Sequence, residues 1–394
     1  MLRALAVVLV TLTIAAEPRR PFPQHTRPAA GTILPSHRTQ AQLDDDVRAY
    51  YQVWKSKFLI ETDDGLYRVS FGSTNPGRTV SEGQGYGMMI AAMMAGHDPD
   101  AQRIFDGLWC FAEKYPSRGD PRLMSWQVPP GNSSSAFDGD ADIAYGLLLA
   151  HAQWGSDGEI DYRAAAREVI AGMLVSTIGP ESKLPMLGDW VDPDGAPYSQ
   201  HTVRTSDFMP THFRAFGWTQ VLKETQALVE HLQRTWSPGT GLLPDFVVHG
   251  APAPPHFLEA ASDGDYGYNA GRDPWRLGTD AVLHGDRKSR EQARRIAQWA
   301  RAATGGDPLR LRGGYRLDGT PLPGRDYFTI FFASPIGVAA MTDPSQQEWL
   351  NAIYETVRAR HEDYYEDSVT MLCLLVMSGN AWSPMETKRR VVRP

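Results

Sequence analysis

The sequence predicts an all-α protein in which an inner ring of helices is wrapped by an outer ring, a helical barrel without a sheet. Apolar residues recur at helical spacing in about twelve segments, strand signals are scarce beside them, and strongly apolar segments alternate with amphipathic ones. In chain order the segments lie near 40–61, 83–97, 99–116, 140–154, 161–177, 207–221, 223–236, 268–284, 287–304, 327–342, 344–360 and 366–379. Gly87 to Gly96 in the second and Ile143 to Ala152 in the fourth are rich in small residues and apolar over most of their surface, which implies burial on all sides. The ninth keeps a polar face from Asp286 to Arg301. Trp154, Trp299 and Trp349 fall at helical spacing within apolar helices and are expected in the core. No internal repeat supports the ring independently.

The longest connections, 117–137, 179–205, 238–267 and 305–326, are rich in Trp, Tyr, Asp and Gly. Long ordered loops tend to carry function, so they read as the walls of an open cleft. Residues from Glu17 to about Ser36 are rich in Pro and read as an extended strap. Ahead of them, Met1-Leu2-Arg3, the apolar run Ala4 to Ala16 and Glu17-Pro18 have the layout of a secretory signal. That run is shorter than the roughly 20 residues that cross a bilayer. The expectation is a signal over 1–17, a single domain over 18–394, and a secreted monomer that leaves the membrane once the signal is cleaved.

A net charge of −7 and a pI near 5.9 argue against a nucleic-acid partner, and the basic Lys388-Arg389-Arg390 reads as a solvated end. With 2 cysteines, Cys110 and Cys373, the fold does not rest on a disulfide framework, although one bridge stays open. Neither a four-thiolate set nor His-Glu-x-x-His occurs, so no metal or other cofactor is expected.

Chemistry concentrates at helix heads. Glu82 lies in Ser81-Glu82-Gly83-Gln84-Gly85-Tyr86-Gly87-Met88, and Asp138, Asp140 and Asp142 lie in Ala136-Phe137-Asp138-Gly139-Asp140-Ala141-Asp142-Ile143-Ala144-Tyr145. Unpaired backbone N–H groups and the helix macrodipole favour carboxylates there, and the glycines permit close approach by another chain or a ligand. Such acids suit glycosidic bond cleavage, although a Glu at a helix head can also be only a cap.

The run from Ala136 to Ala144, continuing through Leu147-Leu148 to Ala150 and Trp154, resembles the signature of glycoside hydrolase family 8, with departures at Phe137 and Gly146. The Glu82 segment is similar to the one that carries the family's general acid. Arg272-Asp273-Pro274-Trp275-Arg276-Leu277-Gly278-Thr279-Asp280 and Tyr364-Tyr365-Glu366-Asp367-Ser368 look like its later landmarks. The resemblance covers nearly the whole mature chain and implies an (α/α)6 barrel with six inner and six outer helices. It also implies an inverting endo-hydrolase of β-linked glycans with Glu82 as acid. Much of the family has an Asp where this chain has Asn269, and Asn cannot take a proton. A chitosanase and licheninase-like subfamily has Asn there and takes its base from an inserted loop, which matches Glu259 in His256-Phe257-Leu258-Glu259, with Asp263 and Asp265 the nearest substitutes. Asp207, where the other subfamily has Tyr, supports that assignment and is read either as a water or substrate ligand or as an N-cap.

Asp138 is grouped with the catalytic acids, its better role being to hold sugar hydroxyls with Asp140 and to raise the pKa of Glu82. Trp126, Trp190, Tyr198 and Tyr266 are candidate sugar-stacking rings. Arg272 and Arg276 either orient the acids or form structural ion pairs, and Asn269 and Arg272 join the substrate-binding set. The expected substrate is a β-1,4 glucan-type polysaccharide, mixed-linkage β-glucan, cellulose or chitosan; the alternative is a non-catalytic glycan-binding protein on the same fold.

Overall fold

The computed structural model describes residues 17–385, so the segment read as a secretory signal lies almost wholly outside the described residues, as do Lys388, Arg389 and Arg390. Twelve α-helices form among the described residues: α1 Gln40–Phe58, α2 Ser81–Met94, α3 Ala101–Lys114, α4 Phe137–Trp154, α5 Tyr162–Ser176, α6 Pro210–Phe216, α7 Thr219–Thr235, α8 Asp273–His284, α9 Arg287–Thr304, α10 Ile330–Ala340, α11 Gln347–Val357 and α12 Tyr364–Met377. The even-numbered helices touch in sequence, α2 to α4, α6, α8, α10 and α12, and α12 closes back onto α2. The odd-numbered helices pack outside them, giving the (α/α)6 barrel.

Burial follows the apolar pattern. Every residue of α10 is buried, in α2 only Glu82 is not, and in α12 only Tyr365 and Glu366 are not. Those three exceptions all line one cleft. Glycines set the spacing of α2 and α4: a Cβ on Gly85 would stand 2.6 Å from Asp142 Cβ, and one on Gly139 would stand 2.7 Å from the Ser81 carbonyl carbon. The close approach they permit is between two helices. The segment read as 207–221 divides, because Pro210 starts α6 and Gly217, at φ 74°, ends it in the left-handed region.

Among the described residues seven short strands lie outside the ring. β1 Leu59–Glu61 pairs with β2 Tyr67–Val69, β3 Thr79–Val80 with β4 Gln127–Val128, and β5 Thr202–Arg204 with β6 Phe246–Val248, which also pairs with β7 Ala251–Pro252. All of these pairings are antiparallel.

The Pro-rich strap is extended as expected and crosses the floor of the barrel. Its backbone donates from Arg19 to Gln153 O (2.8 Å), from Phe22 to Ala95 O (2.6 Å), from Thr26 to Gly379 O (2.7 Å), from Ala29 to Val282 O (2.8 Å) and from Ile33 to Met341 O (3.0 Å). These acceptors lie at the C-terminal ends of α4, α2, α12, α8 and α10, where helical carbonyls lack intrahelical donors. At about 1 kcal/mol for each bond, deleting residues 17–37 is expected to lower Tm by roughly 5–10 °C. An unchanged calorimetric melt would show that the strap is only draped over the floor.

Candidate active site

At the other end of the barrel, the heads of α2, α4 and α12 and the turn before α8 open into a cleft of about 570 Å³. β3 runs directly into α2, and the Ser81 amide donates to Trp126 O at 3.0 Å, which ties the helix head to the loop bearing Trp126. Glu82, the next residue, makes no capping bond. Its Oε1 contacts the Arg272 guanidinium and accepts from Tyr86 Oη at 3.0 Å, one turn along α2, while Oε2 accepts from Tyr364 Oη at 3.3 Å. The side chain is 17% exposed, toward the cleft. Burial raises its pKa above the ordinary carboxylate value, opposed by Arg272 and reinforced by the charge of Asp138.

Asp138 moves the other way. Burial alone would raise it, but Arg272 at 2.8 Å, Arg204 at 3.7 Å and the Gly139 amide at 2.9 Å hold it low. One carboxyl therefore tends toward the acid form while its neighbour stays ionised, a separation suited to acid catalysis beside a fixed negative charge.

Facing them is the loop with Glu259, whose side chain is 47% exposed. Asp263, 1% exposed, shapes that loop by accepting the amides of Leu258 (2.7 Å), Glu259 (3.0 Å) and Ala260 (2.8 Å). Asn269 Nδ2 donates to Glu259 Oε2 at 2.9 Å, and Arg204 donates to Oε1 at 3.3 Å. Arg272 Nη2 donates to Asn269 Oδ1 at 3.2 Å and to Ser206 Oγ at 2.8 Å. Glu82 and Glu259 thus sit at opposite ends of an Arg272–Asn269 bridge, both on the cleft, with Asp138 held between the two arginines.

Trp126, 37% exposed, lines the same cleft. Of the other anticipated binding residues, Asn269 and Arg272 line the cleft as well, whereas Asp140, Asp207, Tyr266, Trp190 and Tyr198 do not. Asp140 is fully buried and accepts the Met124 amide at 2.9 Å, fixing the segment that leads to Trp126 rather than reaching a sugar. Asp207 is buried off the cleft in a 3-10 turn, Thr205–Asp207; neither oxygen has a hydrogen-bond partner, and Arg204 is 3.9 Å away. Burial, only partly offset by Arg204, pushes Asp207 up to about 8, and α6 takes Met209 rather than Asp207 as its cap residue. Tyr266 is 0% exposed and packs edge-on to Phe332, so it is a core ring and not a stacking platform. Trp190 and Tyr198 are likewise off the cleft, and with Phe257 they form an edge-to-face series beside the Glu259 loop. Of the alternative bases, Asp263 is committed to loop amides and Asp265 does not line the cleft. Arg276 grips Asp142 at 2.6 Å, one layer below.

Several participants escaped sequence reading. Arg204 reaches Asp138, Asp207 and Glu259 from the end of β5, although nothing in its own segment marks it. Asp245, pushed up to about 7 by burial, accepts the amides of Gly267, Asn269 and Ala270 and so sets the turn that presents Asn269. Cys110 and Cys373 are both free thiols. Among the described residues no group of three His, Cys, Asp or Glu is placed to hold a metal, and no helix is long and apolar enough to cross a membrane.

The chain resembles known proteins over nearly its full length. It is 39% identical to a β-glucanase of Niallia circulans over 97% of this chain and 96% of the relative, and 37% identical to an endoglucanase of Bacillus sp. strain KSM-330 over 97% and 86%. The solved apo structure of a β-1,3-1,4-glucanase from Paenibacillus sp. X4 superposes with a TM-score of 0.88 at 39% identity, covering 93% of this chain and 100% of that one. A reducing-end-xylose releasing exo-oligoxylanase, at 20% identity and a TM-score of 0.71 over 87% and 94%, shares the fold. The model of glycosyl hydrolases family 8 matches residues 39–379, and with relatives at 37–39% identity over nearly the whole chain the protein belongs to glycosyl hydrolases family 8 as a glycoside hydrolase.

Proposed function

We propose that this chain is a secreted, monomeric, inverting endo-β-glucanase that cleaves β-1,4 linkages in mixed-linkage β-glucan or cellulose, with Glu82 as general acid and Glu259 as general base. The observation that carries this reading is the placement of two carboxylates on one cleft at the two ends of the Arg272–Asn269 bridge. An inverting displacement needs room for a water between base and anomeric carbon, roughly 6.5–9.5 Å between the carboxyl groups. Glu82 gives its proton to the glycosidic oxygen as the C–O bond breaks. A water held by Glu259 forms the new C–O bond from the opposite face, and its proton passes to Glu259. Solvent then returns one proton to Glu82 and removes one from Glu259. Asp138, ionised and fixed by two arginines, stabilises positive charge developing on the ring and accepts from a sugar hydroxyl. The names of the relatives at 37–39% identity support a glucan substrate.

The test is reducing-end release from mixed-linkage β-glucan, carboxymethyl-cellulose, chitosan and xylan in parallel, with Glu82→Gln as blank and the first-formed anomer read by proton NMR. The expected result is activity on β-glucan with an α-configured first product. A folded protein silent on both glucans would overturn the substrate assignment, and a β-configured first product would overturn inversion.

A further inference from the structure

The cleft wall carries one cation that the chemistry above does not use. Arg78 precedes β3 and lines the cleft. Its guanidinium lies over two rings of the same wall, 4.6 Å from the Phe71 centroid and 5.0 Å from the Trp126 centroid. Its Nε is buried with no hydrogen-bond partner, and among the described residues no carboxylate pairs with it. A guanidinium otherwise offers five donors in a fixed fork, usually to a carboxylate. Here the two rings pack against it, and among the described residues its Nη groups have no protein partner beside Trp126.

The remaining charges of the cleft are already engaged. Arg204 and Arg272 are paired with Glu82, Asp138 and Glu259, and Asp363 accepts the amides of Ser73 and Tyr364. Glu366 lies at the head of α12, on the wall formed with Tyr364 and Tyr365. The charge packed directly on the Trp126 ring is therefore the guanidinium of Arg78, which has no carboxylate partner among the described residues.

We infer that Arg78 is a specificity-determining residue: packed against Phe71 and Trp126, it donates through its Nη groups to the hydroxyls of a neutral sugar bound beside Trp126 and repels the ammonium of a glucosamine unit at that position. It thereby selects neutral β-glucan against chitosan, an inference that rests on the reading of this cleft as the glucan site. A like charge opposite a bound cation is a standard way to reject a competitor of the same shape.

The ratio of kcat/KM on chitosan to kcat/KM on β-glucan tests this in the wild type and in Arg78→Lys, Arg78→Gln and Arg78→Glu, at a pH where the amine is protonated. Arg78→Gln is expected to raise the ratio about tenfold, Arg78→Glu more, and Arg78→Lys little, because Lys keeps the charge. Added salt should shrink these differences by screening. Where chitosan turnover is too slow to follow, the Ki of a glucosamine tetramer against β-glucan hydrolysis reads the same preference and should fall in the same order. A purely structural Arg78 would lower both rates together and leave the ratio and the Ki unchanged, which would overturn the inference. Absence of β-glucan hydrolysis by the wild type would instead overturn the glucan reading.

Discussion

Glu82→Gln is expected to lower kcat on β-glucan by about a thousandfold with KM little changed, because proton donation to a poor leaving group contributes roughly 10²–10⁴-fold and the amide cannot supply it. The shape of the site should survive, since Asp138 still holds Arg272 at 2.8 Å and the side chains are isosteric. Two further readings separate a lost acid from a damaged site. A dinitrophenyl glycoside, whose leaving group needs no proton, should restore the rate to within about tenfold of wild type. In the wild type the alkaline limb of the pH profile should lie above the ordinary carboxylate range, because burial raises Glu82 and activity falls as pH climbs through that raised value.

Stability should move in the opposite direction. An acid whose folded pKa is raised contributes its full stability only below the unfolded value and loses it as pH rises through the folded one. Glu82→Gln should therefore melt at or above the wild-type temperature at pH 7, with the difference closing near pH 4. A variant that kept near wild-type kcat, or lost activity and stability together at pH 7, would remove Glu82 from the acid role.

The helices were legible because the outer six bury one face each, which writes a period of 3.6 into segments such as α3 and α9. Inner helices such as α2 and α10 are buried nearly all round and show as apolar runs rich in small residues. Glu82 stands out for the same reason: it is the one residue of α2 that is not buried, an acid at the head of an apolar run. Loops have no such period, so whether a loop ring faces the cleft or the core could not be read. Trp126 and Tyr266 both sit in long connections, yet one lines the cleft and the other is sealed against Phe332. The three Asp residues after Ala136 show the same limit within a helix. Asp138 meets Arg272 and Arg204, Asp140 turns to the Met124 amide, and Asp142 meets Arg276 and His212, because residues two apart on a helix point to opposite sides, while Asp138 and Asp142 share one face at different depths. Arg204 and Asp245 were invisible because their roles exist only through partners that are distant in sequence.

Glu259→Ala is the second large effect, expected at about 10²–10⁴-fold in kcat, and it decides where the base lies. Removing this side chain vacates the face of the sugar opposite Glu82 while leaving Asn269, Arg204 and the Asp263-held loop amides in place. Azide can enter that space and attack the anomeric carbon without needing a base, since it carries no proton to lose. Partial recovery of rate with added azide, and a glycosyl azide of inverted configuration by NMR, are therefore expected for Glu259→Ala. Asp138→Ala should lose activity without recovery, because both oxygens of Asp138 serve contacts in the folded site, to the Gly139 amide and to the two arginines, and its loss leaves Arg272 and Arg204 short of a partner. The opposite pattern, azide rescue in Asp138→Ala and none in Glu259→Ala, would move the base to the head of α4 and leave Glu259 as a cleft-wall acid.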